Sequence, residues 1–219
     1  MQTIFITGAS GYIGTRFMQN IDKSLFRIIA LVRKGSEHKV PPGIEILIAD
    51  VFNPVSWKEH IPKDCIFIHL LGVAHPSPQK KAAFLNIDLR ALKDVANVAN
   101  ERNSKAFIYL SVAMEPSSIM KDFQEAKSLG EKYLESLHLN FIFVRPWYII
   151  GPGHWWPIFF IPLFKLLEII PATSMKARKF SLITIHQMIS SLIYIINHID
   201  KVPKYVEIEN LKTLNTNSK

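Results

Sequence analysis

With 219 residues, 48% of them hydrophobic and 20% charged, the chain can bury a sizeable core and lacks the composition of a disordered polypeptide. Its formal charge is +8, but the basic residues are scattered in small clusters at Arg33-Lys34, Lys80-Lys81 and Lys176 to Lys179. No basic stripe is interleaved with aromatics, which argues against a nucleic-acid partner and for solubility plus a few cations available to phosphates.

The chain opens MQTIFITGAS, going directly into a strand and a glycine-rich turn. It shows no basic region, apolar stretch or cleavage site of a secretory signal, so a cytoplasmic protein is expected. Cys65 is the single cysteine, which excludes an intrachain disulfide, and its place in the apolar run CIFIHLL reads as a buried structural thiol. Short apolar runs predict strands over 3–6, 27–32, 44–48, 65–70, 106–110, 141–144 and 205–208. Helical patterns fill 11–21, 55–61, 80–102, 119–137 and 186–199. The early strands are nearly all apolar, as strands covered by helices on both faces are. The expectation is an α/β chain with a doubly wound parallel sheet, one domain over 1–212 and a polar, frayed tail over 213–219.

One stretch breaks the rhythm. Residues 147–171 are rich in Trp, Phe, Ile and Pro, and proline and charge interrupt them too often for a transmembrane helix. Within a substrate-side segment over 147–180, three readings stand. The first is a lid or pocket wall; the second is an oligomer surface, a homo-oligomer included. The third is a peripheral contact of 155–171 with a membrane or a protein assembly.

The strongest motif is Gly8-Ala9-Ser10-Gly11-Tyr12-Ile13-Gly14, which follows a buried strand and opens a helix. Gly8 permits a tight turn, Gly11 lets backbone approach a pyrophosphate, and Gly14 allows close helix–strand packing; the helix N-terminus offers free N–H groups to phosphates. This is the context of a Rossmann dinucleotide site. After the second strand, Ala30-Leu-Val-Arg33-Lys34 places an arginine where NAD-specific sites usually carry a carboxylate, so Arg33, assisted by Lys34, favours NADP(H) over NAD(H).

The spacing G-x-x-G-x-x-G resembles that of the extended and atypical short-chain dehydrogenase/reductase superfamily, which includes the NAD-dependent epimerases and dehydratases. The resemblance implies further cofactor contacts at Asp50 and Val51 near the adenine and at Leu71, Gly72 and Val73 in the loop passing under the cofactor. It also implies a bracing role for Asn86 and a contact at Pro146. Active members carry a Ser/Thr after the fifth strand and a Tyr-x-x-x-Lys on the next helix. Here that segment is Phe123-Gln-Glu-Ala-Lys127, so the lysine matches and the phenol is missing. Ser111 follows the fifth strand, although direct alignment with sugar epimerases puts Val112 at the serine position. Lys127 is read as a ribose ligand or as a partner of Glu131 one turn on. Tyr133 lies off the helical face of Phe123, and Tyr148, in Arg145-Pro-Trp-Tyr-Ile-Ile-Gly-Pro-Gly153, is the substitute phenol to weigh against a packing aromatic.

The combined pattern is similar to the group of the nucleotide-binding accessory subunit of respiratory complex I. It implies an NADP-dependent oxidoreductase or isomerase with a degenerate catalytic site, its small-molecule substrate unspecified. The alternatives are a non-catalytic cofactor-binding protein and a nucleotide-sugar epimerase or dehydratase. No metal site is expected.

Overall fold

The computed structural model describes residues 1–73, 77–114, 120–154 and 182–214. Strands β1 (Gln2–Thr7), β2 (Phe26–Val32), β3 (Glu45–Ile48), β4 (Ile66–His69), β5 (Ala106–Leu110), β6 (Phe141–Arg145) and β9 (Tyr205–Glu207) form one sheet. Their order is β3-β2-β1-β4-β5-β6-β9, and every neighbouring pair is parallel. A parallel pair must be joined by a crossover, and helices α1 (Tyr12–Asn20), α3 (Arg90–Glu101), α4 (Lys121–Glu135) and α5 (Ile185–Asn197) supply this cover. Strand order reverses between β1 and β4, where open α/β sheets form the crevice that takes ligands.

Side chains leave the strands alternately, so each strand feeds two cores. Ile4, Ile6, Ile68, Ile108 and Val144 pack with Phe17 and Met18 of α1 and Met188 and Leu192 of α5. Phe5, Phe67, Phe107 and Phe143 face the other way, against Leu92 and Val95 of α3, Leu134 of α4 and the fully buried Trp57. Rings order this second layer: Phe5 stacks on Trp57 at 5.4 Å, and Phe67 on Phe107 at 6.0 Å. Helix α5 starts at a reciprocal cap, in which the Thr184 hydroxyl accepts from the Gln187 N–H (3.1 Å) and the Gln187 side chain accepts from the Thr184 N–H (2.9 Å).

Four local expectations are corrected. Residues 55–61 form two short 3₁₀ turns, Pro54–Ser56 and Lys58–His60, because burial of Trp57 under Phe5 pins the segment to the sheet. The helix expected over 80–102 is broken. It comprises a 3₁₀ turn at Pro78–Lys80, the short α2 (Lys81–Ala83), a π-helical turn over Phe84–Leu89, and then α3. Within the π turn Phe84 and Asp88, four residues apart and so on one face, are buried while Leu85, Asn86 and Ile87 are exposed. Two three-residue strands, β7 (Tyr148–Ile150) and β8 (Leu182–Thr184), pair in parallel outside the main sheet and are too short to leave a periodic signal. A last helix, α6 (Ile208–Thr213), begins where a strand was expected to end and runs to the first residue of the expected tail. The stretch 155–181 lies outside the described residues, as does 215–219.

Arg145, at the end of β6, ties three elements together. Its Nε and Nη2 donate to the two carboxylate oxygens of Glu131 on α4 (2.9 and 2.5 Å), and its Nη1 donates to Glu207 of β9 (2.7 Å). Burial opposes the guanidinium charge, but the bonds from Glu131 and Glu207 outweigh it and raise its pKa. The Glu131 side chain is 6% exposed and that of Glu207 is 45% exposed, so the two halves of the network differ in worth. Arg145→Met strands a buried carboxylate and should cost about 3–5 kcal/mol of unfolding free energy. Glu207→Gln, acting on a solvated pair, should cost less than about 1 kcal/mol. Urea denaturation checks both, and equal losses would show that burial does not set the difference.

Candidate functional site

The glycine turn joins β1 to α1 at the strand-order switch. Gly8 has φ +74°, and a Cβ there would lie 2.6 Å from the Leu70 carbonyl carbon and the Leu71 nitrogen. At Gly14 a Cβ would lie 2.6 Å from the carbonyl oxygens of Gly8 and Ala9. Gly11 N–H closes the turn on the Gly8 carbonyl (3.0 Å) and Gly11 caps α1 with no side-chain bond and no acidic residue in the first turn. The first N–H groups of α1, from Tyr12, Ile13 and Gly14, therefore have no intrahelical acceptor and no competing carboxylate. A bare backbone cradle with a positive dipole end is what a pyrophosphate needs, so the residues present fit a dinucleotide. Ala9 is buried behind the turn and Ser10 is half-buried beside it.

Along the same sheet edge, Arg33 and Lys34 follow β2 on an exposed turn closed by Ser36 N–H on the Arg33 carbonyl (3.0 Å). Neither side chain makes an ion pair among the described residues. Asp50 is exposed after β3 and accepts the Phe52 N–H (3.0 Å). Val51 is 6% exposed, and its side chain packs in the aromatic core. Leu71 and Val73 are half-buried and Gly72 is exposed in the loop after β4. Pro146 is buried, and its carbonyl accepts the Ala113 N–H (3.0 Å).

Between the sheet and α3–α4 lies a buried polar cluster that the sequence reading reached only in part. Lys127 is 5% exposed and donates to the Leu110 carbonyl (3.1 Å); its ammonium lies 4.8 Å from the Tyr109 ring centre and 5.6 Å from that of Phe123. Burial lowers its pKa, while Asp88 and Glu131 raise it. Both Glu131 oxygens are bonded to Arg145, so the simple Lys127–Glu131 pair of the sequence reading is replaced by a shared field. Phe123 is half-buried and meets Phe84 edge-on at 5.2 Å. Ser111 is 5% exposed with its hydroxyl buried and unpartnered among the described residues. Tyr133 turns away and donates to Asn97 (2.5 Å), and Tyr148 sits on β7 with its phenol pKa raised by burial.

Three residues were missed. Asp88 accepts the Val73 N–H (2.7 Å), which gives it the bracing role expected of the exposed Asn86. His69 bonds Thr7 Oγ1 through Nδ1 (2.8 Å), and burial, aided by Lys127, pulls its pKa down to about 3. Tyr109 lies beside it, 5.8 Å between ring centres. Each is a polar side chain at a position whose periodicity marks it as inward, and that mismatch is the signal that finds them. Cys65 is buried and its thiol is pushed up to about 12 by desolvation, so it is a packing residue. A groove of about 1340 Å³ runs along α4 past Gln124, Ser128, Glu131 and Arg145, but it contains none of the candidate site residues.

Two outcomes test this geometry. Gly8→Ala combines a strained left-handed φ with a backbone clash at 2.6 Å and should abolish cofactor binding. Gly43→Ala, with φ +79° but only ordinary contacts, should cost about 1–2 kcal/mol and leave binding intact. Calorimetric titration distinguishes them, and Gly8→Ala binding normally would remove the cradle argument. Separately, the folded His69 imidazole stays neutral down to about 3, whereas the unfolded one takes a proton near the ordinary 6.5. The unfolded state thus gains a proton in that window, and stability should fall as pH drops through it, by up to about 1.4 kcal/mol per pH unit. Denaturation at a series of pH values should show a flatter slope for His69→Phe; an unchanged slope would assign the acid sensitivity elsewhere.

A family model described as NAD(P)H-binding matches residues 8–151. A ceramide reductase of Caulobacter vibrioides is 26% identical over 180 residues, which is 80% of this chain and 55% of that protein, so the chain spans about half the length of this curated relative. Among solved structures, a UDP-galactose 4-epimerase superposes with a TM-score of 0.69 at 16% identity, covering 93% of this chain and 75% of its own. UDP-glucuronic acid 4-epimerase from Bacillus cereus, in complex with NAD, gives 0.65 at 15% identity, covering 90% and 73%. Among the described residues no helix is long and apolar enough to cross a membrane. By its glycine cradle, its strand order and this match, the chain belongs to the NAD(P)H-binding family, on the Rossmann fold that those epimerases share.

Proposed function

We propose that the chain is an NADP(H)-dependent oxidoreductase of the short-chain dehydrogenase type, acting on a carbonyl of an apolar substrate. The observation that carries this reading is Lys127, an ammonium held at the carbonyl of the last β5 residue, on the same sheet edge as the glycine cradle. One of its three protons is bonded to Leu110, and two remain for a ligand among the described residues. A bound nicotinamide supplies or accepts a hydride at such a site. The chain's own part is to hold phosphates on the N-terminus of α1, to place positive charge at Lys127, and to offer the Ser111 hydroxyl beside it. Arg33 and Lys34 favour the cofactor's 2′-phosphorylated form because their side chains are exposed at the end of β2. Similarity to a ceramide reductase and the apolar composition of 147–180 favour a lipid carbonyl over a nucleotide sugar.

Phe123 favours a second reading. With no phenol at that position, the chain would hold its cofactor without turnover, as a structural or regulatory protein similar to the group of the complex I accessory subunit. In that reading 155–171 contacts a membrane or a protein assembly. Mass measurement of the cofactor retained through native purification, followed by NADPH oxidation with lipid ketones and with UDP-sugars, tests both. The first reading expects retained NADP and turnover with a lipid ketone; tight binding with no turnover selects the second. Arg33→Ala should raise the NADPH Kd about tenfold to a hundredfold, the worth of one lost charge-assisted bond, and leave the NADH Kd nearly unchanged. Retention of NAD instead of NADP would overturn the assignment of Arg33.

A further inference from the structure

We propose that Asp88 is a positioning residue that holds the cofactor-side loop with one carboxylate oxygen and keeps Lys127 charged with the negative charge the carboxylate carries. The proposal deepens the reading above and rests on it only for the cofactor measurement.

Asp88 is 2% exposed on the π-helical turn Phe84–Leu89. Its Oδ1 accepts the Val73 N–H at 2.7 Å, and its Oδ2 is buried with no hydrogen-bond partner among the described residues. The second oxygen lies against Gly72: a Cβ added there would come within 3.4 Å of it. A carboxylate so placed is costly to bury unless a cation compensates it. The groups that bear on Lys127 come from every element packed around it. They are Asp88 from the π turn, Glu131 from its own helix, His69 from β4 and Tyr109 from β5. His69 is held neutral by burial, and the Tyr109 phenol is raised well above its ordinary range for the same reason. Glu131 is committed to Arg145 through both oxygens. Burial pushes the Asp88 carboxyl up while Lys127 and the Val73 N–H pull it down, and Asp88 is thus the carboxylate bearing on Lys127 that no guanidinium pairs among the described residues.

The π turn makes this arrangement. Residues 84 and 88 both turn inward on it, Phe84 meeting Phe123 edge-on at 5.2 Å and Asp88 accepting the Val73 N–H at 2.7 Å. The same turn that shields Lys127 through Phe84–Phe123 therefore also delivers its counter-charge.

The test reads Lys127 directly and needs neither turnover nor bound cofactor. Competitive acetylation with acetic anhydride over a pH series, quantified by mass spectrometry, gives the titration midpoint of Lys127 beside that of the exposed Lys93 as internal reference. In Asp88→Asn, which keeps an oxygen for Val73 and loses the charge, acetylation of Lys127 near neutral pH should rise about tenfold, the effect of removing one opposite charge. Asp88→Glu keeps the charge and should leave the midpoint where it is in the wild type. In Asp88→Leu, which also loses the Val73 bond, the NADPH Kd should rise about tenfold beyond that of Asp88→Asn. A Lys127 midpoint unmoved in Asp88→Asn, or moved as far in Asp88→Glu, overturns the counter-charge. Equal cofactor losses in Asp88→Asn and Asp88→Leu overturn the loop bond. If the Asn variant unfolds, Lys127 titrates with Lys93, and the Glu variant then decides. A wild-type chain that binds no cofactor would sink the proposed function while leaving the lysine titration intact.

Discussion

At Gly8 the chain passes a distant part of its own backbone at a distance that admits no side-chain carbon. Gly8 meets the backbone of Leu70 and Leu71 where β1 and β4 end side by side, with the Leu70 N–H bonded to the Thr7 carbonyl at 3.0 Å. Much else follows from that contact. It sets where the turn into α1 lies, so the free N–H groups of that helix open onto the crevice between β1 and β4. It also fixes the start of the loop over Leu71–Val73, which Asp88 then holds from the far side. A dinucleotide site is in this sense a by-product of two strands ending together over a residue without a Cβ.

Around the contact the protein separates two kinds of interior. Toward α1 and α5 the core is largely aliphatic, with Phe17 the fully buried ring within it. Toward α3 and α4 it is aromatic at depth and polar at the cofactor-side end, where Thr7, His69, Tyr109, Asp88 and Lys127 are all buried. Polar groups so placed bring no gain over a well-packed apolar core and are retained where specificity or chemistry needs them. Burial keeps His69 neutral, and Lys127 close by works in the same direction, since two cations in one buried space repel each other. Phe123 fits the same logic: its ring lies 5.6 Å from the Lys127 ammonium and adds apolar cover to the charge.

Much of this was legible in the residues. The apolar runs around Ile4–Ile6, Ile28–Val32 and Ile66–Ile68 announce strands buried on both faces, and Gly8, Gly11 and Gly14 announce the turn, since both signals are local and repeat with the period of the element. What escaped was whatever depends on a partner far along the chain. Asp88 shares the inward face with Phe84, but nothing near it names the Val73 N–H as its partner; that bond exists only once the loop after β4 is packed against the turn. Likewise Glu131 reads as a helical neighbour of Lys127 until Arg145, fourteen residues on, takes both its oxygens.

By itself, then, the sequence determined the α/β class, the glycine cradle, the positive end of β2 at Arg33 and a phenylalanine one helical turn before Lys127, all of which are written in consecutive or helically spaced residues. The tertiary structure alone decided which charges share the space around Lys127, that the Val51 side chain packs in the core, and that Asp88 rather than Asn86 bonds the loop after β4. The physical reason is that charge and hydrogen-bond partnership in a low-dielectric interior depend on distances between elements, and those distances exist only once both faces of the sheet are packed.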